Sequence, residues 1–218
     1  MPVGVPKVPY IIPVIPDPEP ESESEDKDKD KDKEEEEERE EWIEVYDRLY
    51  RIRSLFLFDD LSDEIANHII GLMAFLNIDD NTQEQFLFIN SPGGGMVNGL
   101  GVHDMSRAVL PDVNTLCVGD AISMAALILA GGADNKRTAF PHSTIMLHQP
   151  EIKEVGGLIH ELVLDGDDLN LIRIAVENIY EQRTGQPICV IRKDMIRDHF
   201  MTAPEAQKYG LVDSLGED

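Results

Sequence analysis

The chain has 218 residues, 43 acidic and 19 basic, which gives a formal net charge of −24. Region 17–41 holds 16 acidic and 5 basic side chains, a net charge of −11, and the remainder carries −13. Both parts repel a phosphate backbone, and no apolar run approaches the roughly 20 residues of a spanning helix, so nucleic-acid coating and an integral membrane protein are both disfavoured.

The N-terminal part of the chain differs in texture from the rest. Residues 1–16 are rich in proline, and residues 17–41 are an acidic low-complexity stretch. Such a composition cannot bury enough apolar surface to offset its ordering entropy. We therefore predict an N-terminal segment 1–41 whose acidic insert is disordered and dispensable for folding. No secretory or transit peptide is recognisable in it.

Residues 42–218 are predicted to form one domain with a single core. Its sequence alternates short apolar runs with amphipathic segments. Ser62, followed by two acidic residues, is typical of a helix N-terminus, and Thr202 opens a capping box before a helix that Gly210 ends. The predicted strands are 54–58, 86–89, 113–118 and 144–148, and the predicted helices are 42–50, one starting after Ser62, 97–110, 123–130, 158–182 and one starting after Thr202.

The repeated strand–helix order predicts an α/β fold with mainly parallel strands, because no hairpin dipeptide joins neighbouring strands. A nucleotide site is not expected. The first strand is not followed by a GxGxxG pattern, and Gly93–Gly95 lack the Lys-Ser/Thr of a phosphate-binding loop. Cys117 and Cys189 show no metal-ligand spacing and are predicted to be reduced, packed thiols.

Three features are candidates for chemistry. Ser123 lies where a strand turns into an apolar helix, and His148 ends another strand just before a proline. The glycines after Asn90-Ser-Pro allow the backbone to approach a ligand closely. Each feature alone also has a structural interpretation: a helix N-cap, a buried hydrogen-bonded histidine and an ordinary tight turn.

Together these features, in this order and spacing, match a known family. The chain resembles the ClpP family, the proteolytic subunits of the ATP-dependent caseinolytic protease, and most closely the plastid-encoded type. The motifs that carry the resemblance are Phe88–Gly94, Gly119–Met124, Met146–Pro150, Arg183–Gly185 and Arg197–Ala206 with Tyr209–Asp213.

The resemblance implies a serine endopeptidase. Ser123 would be the nucleophile, His148 its general base, and Asp198 the residue that orients the imidazole. The backbone N–H groups of Gly94 and Met124 would form the oxyanion hole. No metal or cofactor is implied.

The resemblance also implies an architecture and partners. The fold would be a ClpP/crotonase-like superhelix of strand–turn–helix units, with helix 158–182 as a protruding handle that pairs two seven-membered rings. An Hsp100-type ATPase would feed unfolded proteins into the closed chamber. This ATPase would dock on aromatic side chains such as Phe86 and Phe88. Other Clp core subunits would be present in the same rings. Neither nucleic acid nor a membrane would be a partner. The protein would be located in the chloroplast stroma.

Two residues near the nucleophile depart from the family pattern. Asp120 replaces a residue that is usually apolar, and Ile122 replaces a small one. We expect Asp120 to face the catalytic chamber and to slow the peptidase. The alternative is that it points into the strand–helix junction, where it would cap the helix and leave catalysis unchanged. These departures leave open a catalytically silent structural subunit of a mixed ring, and the shared fold leaves open an acyl-CoA hydratase or isomerase.

Overall fold

A computed structural model describes residues 5–12, 39–150 and 159–217. The chain divides after Ile52 into two compact units. The first contains strand β1 (Lys7–Ile12), strand β2 (Arg39–Glu44), which pairs antiparallel with β1, and helix α1 (Val45–Arg51).

The first unit corrects two details of the sequence prediction. The helix predicted from Trp42 begins only at Val45, because residues 42–44 pair with β1, with Trp42 opposite Pro9. Residues 39–41 also belong to β2, so the disorder predicted for the acidic insert does not extend to these three residues. Residues 17–38 lie outside the described part of the chain, and a domain boundary after residue 41 stays a prediction.

The second unit alternates strands and helices, as predicted. Its elements are β3 (Ser54–Leu57), α2 (Asp63–Asp79), β4 (Gln85–Ser91), α3 (Met96–Ala108), β5 (Val113–Ile122), α4 (Met124–Ala130), β6 (Arg137–Ala139), β7 (Thr144–Leu147), α5 (Ile159–Thr184), α6 (Ile188–Met195), β8 (His199–Thr202), α7 (Ala203–Tyr209) and β9 (Ser214–Leu215).

The sheet of the second unit is mostly parallel, which confirms the predicted α/β class. Its strands run in the order β3-β4-β5-β6-β9, and β7 pairs with both β5 and β8. The β7–β8 pair is antiparallel, and the others are parallel. The long strand β5 changes partner: Thr115–Cys117 pair with β6, and Asp120–Ile122 pair with β7.

The core lies between one sheet face and the helices. Every residue of α4 is buried. In β4, Leu87 and Ile89 are fully buried, whereas Phe86 on the opposite face is 37% exposed. On that outer face Phe56 stacks on Phe88, with ring centroids 5.4 Å apart. The period-two pattern of these strands thus separates a core face from an aromatic outer face.

The helix signals read from the sequence are confirmed. The Ser62 Oγ accepts a hydrogen bond from the Ile65 N–H at 3.4 Å. The Thr202 N–H donates to the Glu205 side chain at 2.9 Å, and Gly210 ends α7 with φ +97°. These caps satisfy backbone groups that a helix end otherwise leaves unpaired.

Helix α5 is the long helix predicted from the sequence, and it has 26 residues. Its first half is mostly exposed, while Val176, Glu177 and Tyr180 in its second half are buried. The second half therefore packs on the core, and it also supplies part of the site described below.

The two cysteines differ in environment. Cys117 is buried, and burial raises the pKa of its thiol to about 11. Cys189 is exposed, so the prediction that both thiols are packed is wrong for Cys189.

Candidate active site

Ser123 connects the end of β5 to the start of α4 in an unusual conformation. Its φ is +58° and its ψ is −121°, a region that residues other than glycine rarely occupy. Its N–H donates to the Met146 carbonyl of β7 at 2.9 Å. Although Ser123 stands at the N-cap position, its side chain makes no capping hydrogen bond. Its hydroxyl is therefore available to another partner.

That partner is His148. The His148 Nε2 lies 2.7 Å from the Ser123 Oγ. The proximity follows from strand pairing, since Ile122 and Met146 are opposite each other in parallel strands and each candidate residue comes just beyond the end of its strand. When the imidazole carries its proton on Nδ1, the serine hydroxyl donates to Nε2.

Asp198 lies on the other side of the imidazole. Its Oδ1 is 3.6 Å from the His148 Nδ1, which is within ion-pair distance but too long for a hydrogen bond. The antiparallel pairing of Leu147 with His199 brings Asp198 to this position. The Asp198 side chain is 60% exposed, compared with 19% for His148. The three residues thus form a row across the ends of β5, β7 and β8.

The glycines after β4 pass very close to Ser123. Gly93 has φ +85°, and a Cβ atom there would lie 2.5 Å from the Ile122 carbonyl oxygen and 2.9 Å from the Ser123 Cβ. A Cβ on Gly94 would lie 2.6 Å from the Leu61 carbonyl oxygen. Only residues without a side chain fit this approach.

The backbone hydrogen bonds around this approach leave two N–H groups without a partner among the described residues. The Gly93 carbonyl accepts from the Leu61 N–H at 2.9 Å, and the Gly95 N–H donates to the Leu61 carbonyl at 3.0 Å. Within the described residues, neither the Gly94 N–H nor the Met124 N–H donates a hydrogen bond to the protein. Free N–H groups near a nucleophile are suited to binding an oxyanion.

A cavity of about 620 Å³ opens at these residues. Its polar wall includes Ser123, His148 and Asp198, together with the glycine segment 93–95. Its apolar wall is formed by side chains from several elements: Leu61, Met96, Ile122, Met124, Met146 and Val176.

The sequence prediction missed the contribution of α5 to this cavity. Val176 and Tyr180 line it from one face of the helix, four residues apart. That spacing marks a shared face but not what the face packs against. The signal was present, but only tertiary packing identifies it as part of the site.

The two departures from the family pattern have different positions. Ile122 lines the cavity. Asp120 is exposed in β5, pairs with Thr144, and is absent from the described residues that line the cavity. Its N–H donates a hydrogen bond to the Asn90 side-chain oxygen at 2.9 Å. Whether Asp120 faces the catalytic chamber of an assembled ring stays a prediction.

The described residues contain no group of three or more side chains suited to holding a metal ion. Across the same residues, no helix combines the length and the apolar character needed to cross a membrane.

Comparison with known proteins agrees with the fold. The Clp protease family model matches residues 36–218. A protein from Cucumis sativus is 46% identical over 213 residues, which cover 98% of each chain. Relatives from Anthoceros angustus and Epifagus virginiana are 44% and 43% identical over 98% of this chain and over 94% and 97% of their own. All three are named ATP-dependent Clp protease proteolytic subunit. The chain belongs to the Clp protease family, as its motifs predicted.

Proposed function

We propose that the chain is an active serine endopeptidase subunit of an ATP-dependent Clp protease. The observation that carries this proposal is the 2.7 Å contact between the His148 Nε2 and the Ser123 Oγ at the edge of a cavity. A hydroxyl that meets an imidazole nitrogen at this distance has a general base in place. Family membership supports the same activity.

The reaction would proceed by acyl transfer. The Ser123 Oγ attacks the carbonyl carbon of the scissile bond while His148 Nε2 accepts the hydroxyl proton. The oxyanion that forms accepts hydrogen bonds from the N–H groups of Gly94 and Met124. His148 then returns the proton to the leaving amine, and water hydrolyses the acyl-enzyme by the same steps.

Asp198 would orient the imidazole and stabilise its protonated form. Its separation of 3.6 Å from Nδ1 requires a small movement before a hydrogen bond forms. Such bonds in free enzymes are often long and shorten when substrate binds. All proposed steps use groups of this chain and water.

The assembly is proposed from the family resemblance. The chain would join other Clp subunits in two stacked rings of seven and receive unfolded proteins from an Hsp100-type ATPase. The outer sheet face with Phe56, Phe86 and Phe88 is suited to docking the ATPase, since it exposes aromatic surface. The chloroplast stroma is the proposed location, because the named relatives are plant proteins.

Labelling with a fluorophosphonate probe tests the activity. The wild-type chain should react at Ser123, and Ser123→Ala should not react. His148→Ala should slow labelling by at least about 10²-fold, because general-base assistance typically contributes 10²–10⁴. Labelling at the same rate in all three proteins would exclude the proposed nucleophile.

A catalytically silent subunit is the second candidate. Two observations favour a silent subunit. The Asp198 Oδ1 is 3.6 Å from the His148 Nδ1, which is too long for a hydrogen bond, and Ile122 lines the cavity. A silent subunit would assemble with its partners but remain unlabelled. Membership of the Clp protease family gives no support to an acyl-CoA hydratase or isomerase.

A further inference from the structure

Ser91 ends strand β4, just before the glycine segment 93–95, and the proposed reaction does not use it. It is 1% exposed and is absent from the described residues that line the cavity. The Ser91 Oγ donates a hydrogen bond to the Asp59 carbonyl at 2.7 Å and accepts one from the Gly93 N–H at 3.1 Å. One hydroxyl thus joins the start of the glycine segment to the loop before α2.

The bond between Ser91 and Gly93 is the first one that the chain makes after β4. Pro92 has no N–H group, so Gly93 supplies the first backbone donor of the turn. Serine hydroxyls bind the N–H two residues ahead in many tight turns. Leaving a buried donor unpaired is costly, so loss of this hydroxyl would favour a rearranged turn that pairs the Gly93 N–H again.

The peptide group between Gly93 and Gly94 is held from both sides. Its carbonyl accepts a hydrogen bond from the Leu61 N–H at 2.9 Å, and Ser91 holds the N–H of the preceding peptide group. Because this peptide group is trans, its carbonyl and its N–H point in opposite directions. The direction of the Gly94 N–H, the proposed oxyanion donor, therefore depends on the bonds that Leu61 and Ser91 make.

Glycine at position 93 makes such bonds necessary. A Cβ atom there would lie 2.5 Å from the Ile122 carbonyl oxygen, so a larger residue cannot stiffen the turn. Glycine populates positive and negative φ about equally, and the peptide group beside it rotates unless hydrogen bonds hold it. Rotation would move the Gly94 N–H out of the direction that the oxyanion requires.

We propose that Ser91 is a positioning residue of the oxyanion hole, whose hydroxyl fixes the glycine segment and thereby directs the Gly94 N–H at the oxyanion. Donors that are in place before the reaction stabilise the developing charge without reorganisation. The effect acts on the transition state, because the charge develops only there. This inference rests on the proposed serine peptidase activity and adds to it a residue that touches neither the substrate nor the reacting atoms.

The test uses the full-length chain in its assembled protease. kcat and KM are measured for an apolar peptide, with kcat expressed per site that fluorophosphonate labels at completion. The second measurement is the Ki of a peptide boronic acid, which adds to the nucleophile and forms a tetrahedral adduct with an oxygen in the place of the oxyanion.

Ser91→Ala should act on kcat and not on KM. We expect kcat to fall by about 10- to 100-fold, which is less than the roughly 10²–10³ typical for loss of an entire oxyanion-hole donor. KM should stay close to the wild-type value, since the lost alignment matters only in the transition state. The Ki of the boronic acid should rise by the same factor by which kcat/KM falls.

Ser143→Ala is the matched control. Ser143 is also buried, at 4% exposed, and its hydroxyl donates to the Phe140 carbonyl at 2.6 Å. Within the described residues, its hydrogen bonds do not reach the glycine segment. This variant should keep the wild-type Ki, because Ki does not depend on the fraction of folded sites.

Each outcome has a distinct meaning. An unchanged Ki in Ser91→Ala overturns the role of Ser91 and leaves the peptidase assignment intact. If Ser91→Ala does not fold, Ser91→Cys takes its place, because a thiol is similar in size but forms only weak hydrogen bonds. An unchanged Ki in that variant also refutes the proposal. No cleavage and no fluorophosphonate labelling by wild type would refute the peptidase assignment and this inference with it.

Discussion

At Ser123 the backbone adopts a conformation that a serine would not choose by itself. A non-glycine residue at φ +58° costs on the order of 1–3 kcal/mol, which the surrounding structure has to supply. Two contacts hold it in place: the hydrogen bond to the Met146 carbonyl and the close approach of Gly93. The strained turn directs the hydroxyl at His148 instead of at the helix end.

Gly93→Ala should therefore damage the site directly. The new methyl group would meet the Ile122 carbonyl oxygen at 2.5 Å and the Ser123 Cβ at 2.9 Å, and φ +85° disfavours alanine as well. We expect fluorophosphonate labelling to slow by at least about 10²-fold, because losing one oxyanion-hole donor typically lowers the reaction rate by that factor.

Gly71→Ala provides the matched control for this variant. Gly71 lies in helix α2, and a Cβ atom there would meet nothing within 4 Å. Alanine should stabilise that helix by roughly 0.5–1 kcal/mol and leave labelling unchanged. Equal labelling by Gly93→Ala and wild type would show that the glycine loop does not align the site.

Among the elements, strand β4 has two faces with different roles. Leu87 packs in the core with no exposed surface, and Phe86 is 37% exposed on the other face. Because Phe86 and Phe88 stand beside Phe56 on the neighbouring strand, the outer face presents a continuous aromatic surface. This exposed aromatic surface adds no buried apolar area to the core of a single chain.

Phe86→Ser should separate two activities if this face docks the ATPase. Cleavage of small peptides should remain close to wild type, while ATP-driven degradation of a folded protein should be lost. Leu87→Ser on the buried face is the control and should lower both activities through loss of stability. Equal loss of both activities in Phe86→Ser would show that Phe86 serves packing only.

A helix or strand can be predicted from the sequence when the interactions that form it lie within a few residues of each other. Caps at Ser62 and Thr202 are local signals, and the helices they begin were predicted. Strand β5 was predicted to end at Val118 but continues to Ile122, because its last residues pair with β7. Helix α6 was missed, since only Ile191 and Met195 of its eight residues are buried.

The same distinction applies to the site. Ser123 and His148 were predicted as candidates because both follow strand ends in a recognisable motif, and the structure brings them together. The positive φ of Ser123 was not predictable, since it results from contacts with Gly93 and β7. Tyr180 was missed as a residue of the cavity wall, because this position depends on how α5 packs.

Considering the second unit as a whole, Arg137 ties distant segments together. Its guanidinium donates to Asp213 at 2.9 Å from Nε, and Nη1 donates to the carbonyls of Arg183 and Gly210 at 2.9 and 3.0 Å. Strand β6 is thereby joined to the ends of α5 and α7. The Arg137 side chain is 9% exposed and that of Asp213 is 19% exposed.

Asp213→Asn should lower the free energy of unfolding at neutral pH by about 2–3 kcal/mol, since it leaves a largely buried guanidinium underpaired. Partial burial by itself raises the pKa of Asp213, but the hydrogen bonds from Arg137 outweigh it and hold the pKa below its usual 3.8. The wild-type tie therefore stabilises the fold above pH 3.8 and is lost as the pH falls through the lower folded-state pKa.

Urea unfolding of both proteins across neutral and acidic pH measures this effect. The difference in unfolding free energy between wild type and Asp213→Asn should be constant near neutrality and shrink at acid pH. Asp134→Asn is the control, because that carboxylate also pairs with an arginine but its side chain is 77% exposed, and its effect should be much smaller. A pH-independent difference would contradict the proposed linkage.

The row of Ser123, His148 and Asp198 across three strand ends has an evolutionary consequence. The positions of all three are fixed by main-chain pairing of β5, β7 and β8, which does not involve their side chains. Replacing the serine hydroxyl by hydrogen leaves every one of these pairings available. A duplicated gene is thus free to lose reactivity in one codon while its product still folds. Within a mixed particle, the number of working centres would then follow from the relative supply of the two gene products.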